Sequence, residues 1–289
     1  MNRWMITLIG FLWMVVGFVP DANAGSLYPW LKNKRVSKRT QLRYRFPAPP
    51  GYRRVRVKRR SFAWWLRRLP MMPKSSPIRD YRGRRLRSQA RRAGVVRLNV
   101  GRYNLQQCAD SVMRLWGEYL WYRGLQRHYQ FRLTSGHRNP WKRWARGDRL
   151  RIVRGRMRGW RRRARRANAS YRSFQRYLRV VMMYSGTASL SRELRRIPRR
   201  RIQAGDLLMQ GGYPGHVVLL LDEVRNRKGE SLFLLGQGLM PAQSFHVLRS
   251  RRQKRSPWFR LPRRGSILTP SWDFPRPRFY RLPHRRSTR

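Results

Sequence analysis

The chain has 289 residues, enough for one domain with a large buried core, and it carries 70 Lys and Arg against 11 Asp and Glu, a net charge of +59. Only 8 of the basic residues are Lys, and the arginines run from end to end, which argues against a localised nucleic-acid tail. The composition indicates a basic surface that binds polyanions by electrostatics. A single cysteine, Cys108, excludes a disulfide framework within the chain.

Residues 1–24 have the pattern of a secretory signal peptide. A short basic start precedes the apolar run Trp4–Val19, which is too short for a comfortable membrane span, and Ala22-Asn23-Ala24 fits the small-residue cleavage pattern. The sequence therefore predicts an exported protein, periplasmic or extracellular, with no membrane span after signal cleavage. We expect residues 25–275 to form a single α+β domain and the Arg/Pro-rich residues 276–289 to be a disordered tail.

The single cysteine falls in a predicted helix. Asn104 is a capping residue, and Gln107 completes an Asn-x-x-Gln capping box three residues later. The apolar spacing of this helix places Cys108 in the first turn, on the inward face. The unpaired amides and positive dipole of a first turn favour thiolate, so a reactive thiol is one interpretation. A buried core cysteine is the other.

Further along, Arg154–Arg166 is the densest arginine tract, interleaved with Met157 and Trp160. It is a candidate for an anionic contact or a mobile insert, and a solvated charged loop is the alternative. Ser170 then caps a long helix, and a shorter helix begins at Thr187. Both helices are expected to pack on the sheet that the next stretch forms.

Three β-type runs follow one another across two short turns. Leu207–Gln210 and Val217–Leu221 flank a Gly-Gly-Tyr-Pro-Gly turn, and Ser231–Gly236 follows the second turn. The pattern predicts an antiparallel meander with His216 on its middle strand and Gln237 at the end of the next. The predicted fold class is α+β, an antiparallel sheet packed against two or three helices. We expect half of any reactive centre here, with a strand-edge histidine as the alternative for His216.

Several strings of the sequence resemble the family catalogued as domain of unknown function 4846. They include Leu105-Gln-Gln-Cys-Ala-Asp110, Pro214-Gly-His216, Met240-Pro-Ala-Gln243 and Thr269-Pro-Ser-Trp272. The resemblance covers nearly the whole chain after the signal. It implies no activity, because the function of that family is not established.

A weaker similarity is to the papain-like NlpC/P60 cysteine peptidases and amidases, through a helix-start cysteine, a Gly-His before a strand, and a polar residue one strand later. This resemblance implies Cys108 as nucleophile, His216 as general base and Gln237 as the residue that orients the imidazole, with Gln243 and His246 as alternatives for the third role. Amides of the helix's first turn would stabilise the oxyanion. The resemblance implies that the protein is a papain-like cysteine hydrolase that acts on cell-wall peptide or another amide.

Other polar residues near these positions either support the site or only stabilise the fold. They are Gln107, Asp110, Arg114, Glu118 and Asp206. Asp110, Arg114 and Glu118 form a column of alternating charge at four-residue steps along the helix. No metal site or other cofactor is predicted, because the sequence has no Cys pair, no His-x-x-x-His and no carboxylate cluster. The competing function is a non-catalytic exported module for an anionic polymer such as nucleic acid, lipopolysaccharide or acidic glycan, with Cys108 buried.

Overall fold

The structure, a computed structural model, describes residues 26–283 except residues 33, 90, 155, 164–165 and 251–255. The predicted signal peptide and residues 284–289 lie outside the described residues. Within the described ranges, no helix combines the length and the apolar character needed to cross a membrane.

The described part contains six α-helices and fifteen β-strands. The helices are α1 (Leu42–Arg45), α2 (Phe62–Leu66), α3 (Cys108–Tyr122), α4 (Trp141–Ala145), α5 (Tyr171–Tyr184) and α6 (Thr187–Glu193). The strands are β1 (Tyr52–Arg54), β2 (Arg92–Val95), β3 (Gln130–Arg132), β4 (Arg138–Pro140), β5 (Asp148–Val153), β6 (Arg156–Arg162), β7 (Arg195–Ile197), β8 (Leu207–Gln210), β9 (His216–Asn226), β10 (Ser231–Gln237), β11 (His246–Leu248), β12 (Trp258–Phe259), β13 (Ile267–Leu268), β14 (Asp273–Phe274) and β15 (Phe279–Arg281).

Nine of these strands form one antiparallel sheet. Its order is β2-β11-β10-β9-β8-β15-β7, with β1 paired to β9 and β12 paired to β10. Strands β8, β9 and β10 are direct neighbours, so the predicted meander is present. The α+β fold class with an antiparallel sheet is confirmed.

Strand β9 is buried on both faces over most of its length. This burial agrees with its continuous run of apolar residues, which has no alternation with polar ones. Val217 and Leu219 lie in the core that includes α2, α3 and α5. Val218 and Leu220, which point the other way, lie in a second core closed by residues of β12 to β15 such as Phe274. The helices therefore cover one face of the sheet, and the C-terminal segment covers the other.

Helix α3 begins at Cys108 and not at Asn104, which corrects the predicted boundary. Its N-cap is Gln107, whose backbone N–H donates to the carboxylate of Asp110 at 3.0 Å. Asn104 cannot cap the helix because its Oδ1 accepts the backbone N–H of Ala242 at 2.8 Å. Cys108 is therefore the first residue of the helix.

The described part of the arginine tract is mainly a strand and not a loop. The strand Arg156–Arg162 pairs antiparallel with Asp148–Val153, and we call this two-stranded unit the β5–β6 ribbon. It is a separate sheet from the nine-stranded one.

The predicted disordered tail from residue 276 is wrong for the residues that the structure describes. Phe279–Arg281 form a strand that pairs with β8 on one side and β7 on the other. The aromatic rings of Phe279 and Tyr280 are buried, and this burial offsets the arginine-rich composition around them. The folded domain therefore continues past the predicted end at residue 275.

Candidate active site

Cys108 lies where α3 meets the start of β9. The backbone N–H groups of Val217, Ala109 and Cys108 itself act on its thiol. A glycine permits the close packing: a Cβ atom at Gly238, just after β10, would lie 2.6 Å from the carbonyl oxygen of Gln107. The N-terminus of α3 is therefore seated against the start of β9 and the end of β10.

His216 and Gln237 meet at those same strand ends. Nε2 of His216 and Oε1 of Gln237 are 2.8 Å apart, and both side chains are buried. An amide oxygen only accepts hydrogen bonds, so Nε2 carries the imidazole proton and Nδ1 carries the lone pair. The other end of the Gln237 amide donates from Nε2 to Oγ of Ser271 at 2.9 Å, which fixes the orientation of the amide.

A tight turn covers this pair. Thr269 accepts the backbone N–H of Trp272 on its Oγ1 at 3.1 Å, which holds the turn. The ring centroids of Trp272 and His216 are 5.4 Å apart with the planes tilted by 30°, and Phe274 lies at 6.1 Å from the same imidazole. The aromatic cover excludes water, and this burial lowers the pKa of His216, with the Gln237 bond acting in the opposite direction. The imidazole is therefore neutral at neutral pH.

The thiol is also neutral. Burial raises the pKa of Cys108 most, Asp110 raises it further, and the three backbone N–H groups oppose both effects. The expectation that a helix start favours thiolate is not met, because desolvation of the charged sulfur outweighs the backbone N–H groups that stabilise it. In the described structure no hydrogen bond joins the Cys108 thiol to the ring of His216.

Asp110 is a buried carboxyl next to the thiol. Its Oδ2 accepts from the Gln107 backbone, whereas its Oδ1 has no partner among the described residues. Burial raises its pKa to about 8, so the group is largely protonated at neutral pH. It does not pair with Arg114, so the predicted column of alternating charge is broken at its first member.

Arg114 and Glu118 form a buried pair within α3. The guanidinium Nε lies 3.5 Å from the carboxylate of Glu118, and Nη2 donates to Oδ1 of Asn99 at 2.6 Å. The carboxylate also accepts the hydroxyl of Tyr171 at 2.8 Å. Burial raises the pKa of Glu118, and Arg114 opposes that effect. The pair ties the segment before α3 to the helix, which is a structural role.

Three other predicted residues do not bond to the imidazole. Asp206 pairs with Arg281 at 2.7 Å and thereby joins β8 to β15. Gln243 donates to the carbonyl of its own loop at Pro241, at 3.2 Å. His246 lies opposite Gln237 on β11, its Nδ1 is 2.9 Å from the carbonyl of Ser244, and burial lowers its pKa to about 4. The position beside the His216 ring is therefore held by Gln237.

A known protein family matches most of this chain. A family model described as domain of unknown function (4846) matches residues 42–281, which runs from the first residue of α1 to the last of β15. The chain belongs to this family. No curated protein and no solved structure matches the chain.

Two residues at the site of this member of the domain-of-unknown-function (4846) family were not predicted from the sequence. Ser271 and Trp272 contact Gln237 and His216 from a segment more than thirty residues further along the chain. The signal available was the string Thr269-Pro-Ser-Trp272, which carried part of the family resemblance without indicating a site.

Proposed function

We propose that this protein is an exported cysteine-dependent hydrolase that cleaves an amide, in cell-wall peptide or another amide, in the manner of the papain-like NlpC/P60 enzymes. The observation that supports it is the placement of Cys108, at the start of α3, against the residue that follows His216, with His216 bonded to Gln237 at 2.8 Å. The signal-like residues 1–24 support export.

The reaction uses three groups. Nδ1 of His216 takes the proton of the Cys108 thiol as the sulfur attacks the amide carbonyl carbon, and backbone N–H groups in the first turn of α3 stabilise the oxyanion. The C–N bond then breaks, and His216 gives the proton to the leaving amine. Water next attacks the thioester with His216 as base, which releases a carboxylic acid and restores the thiol.

Gln237 is a positioning residue in this scheme. Its Oε1 holds the proton on Nε2, so that the nitrogen with the lone pair is Nδ1. The attack requires the thiol to leave the Val217 N–H and to give its proton to Nδ1 of His216. Such contacts commonly tighten only when substrate binds.

Alkylation of Cys108 by iodoacetamide across a range of pH tests the proposal. Because the chain has one cysteine, all labelling reports this thiol. We expect His216→Ala to slow labelling between pH 6 and 8 by at least about tenfold, since general-base assistance contributes ~10²–10⁴ in catalysis. His137→Ala, at an exposed histidine, is the matched control and leaves the rate unchanged. Identical profiles in the wild type and His216→Ala would remove the basis for catalysis.

A second function, binding of an anionic polymer, is supported by the β5–β6 ribbon. Its arginines Arg151, Arg156 and Arg158 are exposed, and no carboxylate of the described residues pairs with them. Such arginines release counterions when they neutralise phosphates. A fluorescent single-stranded DNA oligomer, titrated at several salt concentrations, tests this function.

We expect the double variant Arg156→Ala/Arg158→Ala to weaken DNA binding and to reduce the slope of log K against log salt by about 1.4 (~0.7 per phosphate contact on a single strand). The control is Arg195→Ala/Arg196→Ala, which removes the same charge from exposed positions on β7. Equal effects of the two double variants would mean that the overall charge binds DNA and the ribbon has no special part.

A further inference from the structure

A cavity of about 490 Å³ lies at one edge of the nine-stranded sheet. One wall is residues 196–199, at the end of β7 and just after it, and the other is residues 277–279, at the start of β15 and just before it. Strands β15 and β8 separate β7 from β9, which begins at His216. The cavity therefore belongs to the sheet edge and not to the surroundings of Cys108.

The charge that lines this cavity has one sign. Its charged side chains are Arg196, Arg199 and Arg278, and none of the residues that line it is acidic. None of the three arginines forms an ion pair with a described carboxylate. The cavity therefore attracts anions.

One guanidinium in the wall has two donors without a partner. Nη1 of Arg199 donates to the carbonyl of Gly265, in the loop before β13, at 3.1 Å. Its Nε and Nη2 atoms are buried and have no hydrogen-bond partner among the described residues. Burial lowers the pKa of Arg199, as it does for a cation that loses water without gaining an anion. A buried donor without a protein partner indicates a place where a ligand supplies the acceptor.

Nε and Nη2 are the pair of atoms with which arginine holds an oxyanion. Arg281, on the neighbouring strand β15, shows this arrangement in the same protein, because its Nε and Nη2 donate to the two carboxylate oxygens of Asp206, each at 2.7 Å. Arg199 presents the same pair of donors, and its bond to Gly265 fixes the guanidinium. The matching ligand carries two oxygens on one atom.

The number of arginines favours a phosphate over a carboxylate. A carboxylate has one charge and two oxygens, which the Arg199 pair of donors satisfies alone. A phosphomonoester has a charge of about −1.5 to −2 at pH 7 and three free oxygens, so it also engages Arg196 and Arg278. A phosphodiester, as in the DNA backbone, has one charge per phosphate and matches the three arginines less well.

The rest of the lining is apolar. Ile197 and Phe279 are buried and lie opposite each other on β7 and β15, and Pro198 and Pro277 adjoin them. The volume lies within the usual range for small-molecule sites, which run from about 300 to 1,000 Å³. The cavity therefore suits an organic group attached to the anion.

We propose that this cavity binds a small organic phosphomonoester. The phosphate lies on Nε and Nη2 of Arg199, and the organic group lies against the apolar wall. The proposal depends neither on the hydrolase function nor on the β5–β6 ribbon, because no residue of either lines the cavity.

Calorimetry on the full chain tests the ligand class, in ~0.15 M sodium chloride to screen the general surface charge. Phenyl phosphate is the probe. We expect inorganic phosphate, which lacks the ring, and phenyl sulfate, which has the same shape and a single charge, each to bind at least about tenfold more weakly. Equal affinity for inorganic phosphate would show a site for the free ion and overturn the organic part of the proposal. Equal affinity for phenyl sulfate would overturn the preference for a phosphomonoester.

Substitutions test whether the cavity is the site. Arg199→Gln should weaken phenyl phosphate binding by at least about tenfold, because it removes two charge-assisted hydrogen bonds. Arg199→Lys keeps the charge without the paired donors and should bind nearly as weakly. The matched control is Arg200→Gln, which removes the next arginine in the chain, exposed and outside the cavity lining, and leaves the affinity unchanged.

A further variant keeps the test valid if loss of the bond from Arg199 to Gly265 disturbs the fold. Arg278→Gln removes an exposed arginine that lines the cavity and leaves that bond intact, and we expect it to weaken phenyl phosphate binding by about threefold. Equal losses in Arg200→Gln and in the two cavity variants would mean that the overall charge binds the phosphate, which overturns the proposal.

Discussion

Nε2 of His216 and Oε1 of Gln237 are 2.8 Å apart, although 21 residues separate them in the chain. They are the first residue of β9 and the last of β10, strands that are antiparallel neighbours, so the two ends lie side by side. Ser271 fixes the amide from its far side. The protonation of the imidazole therefore depends on this amide and on the water excluded around it.

Gln237→Glu should raise the pKa of His216 above its ordinary value of about 6.5, because a carboxylate at the position of Oε1 stabilises the imidazolium. NMR titration of the imidazole signals measures the change. Gln243→Glu is the control, since the Gln243 amide bonds to its own loop and not to the ring. A His216 pKa that stays low in Gln237→Glu would contradict the hydrogen bond between Nε2 of His216 and Oε1 of Gln237.

Trp272→Ala should also raise the pKa of His216, in this case toward 6.5 and not beyond it. Burial is the main cause of the lowered pKa, and the indole of Trp272 provides part of that burial. The same NMR titration reports His246, whose pKa of about 4 should not move and so shows that the fold is intact. Trp160→Ala, in the β5–β6 ribbon, is the matched control. If both tryptophan variants shift His216 equally, the effect is not local shielding.

The sheet and the pair at its edge could be predicted from the sequence because their determinants are local. Apolar runs separated by glycine-rich turns specify an antiparallel meander, and that connectivity brings His216 near Gln237. Two contacts in the site could not be predicted in this way. Ser271 and Trp272 reach it from beyond β12, and no short-range pattern indicates which strand end a distant turn will cover.

The start of α3 and the state of its thiol depended on tertiary structure as well. Asn104 and Gln107 are both capping residues, and the bond from Ala242 to Asn104 decides between them. Backbone N–H groups at the helix start lower the pKa of the Cys108 thiol, but burial raises that pKa by more. A sequence shows that a cysteine lies at a helix start, but it does not show how deeply that cysteine is buried.

Gly238→Ala should destabilise the fold by about 1–3 kcal/mol, the usual cost of overpacking. The new Cβ would lie 2.6 Å from the Gln107 carbonyl and 2.4 Å from Oγ of Ser111, so α3 must move away from β10. Chemical unfolding measures the free energy. Gly186→Ala is the control, because a Cβ there meets nothing within 4 Å. Similar losses in the two variants would show that α3 is not held against the end of β10.

Asp110→Asn should change how stability depends on pH. The folded pKa of Asp110 is about 8, against ~3.9 for an unperturbed Asp, so between these values the folded carboxyl keeps a proton that the unfolded chain has lost. The unfolded state binds fewer protons, and the free energy of unfolding therefore falls as pH rises from about 4 to 8, by up to ~1.4 kcal/mol per unit. Asn does not titrate, so its variant lacks this slope and gains stability over the wild type as pH rises.

Guanidinium unfolding of both chains at pH 4, 6 and 8 measures that difference. His216 and His246 have lowered pKa values, so they weaken the fold as pH drops below about 6.5, but they do so in both chains and cancel in the comparison. A stability difference between the two chains that is constant across pH would show that folding does not shift the pKa of Asp110. Above pH 8, where Asp110 ionises and raises the thiol pKa, the Asn variant should also react faster with iodoacetamide, because it removes the negative charge beside Cys108.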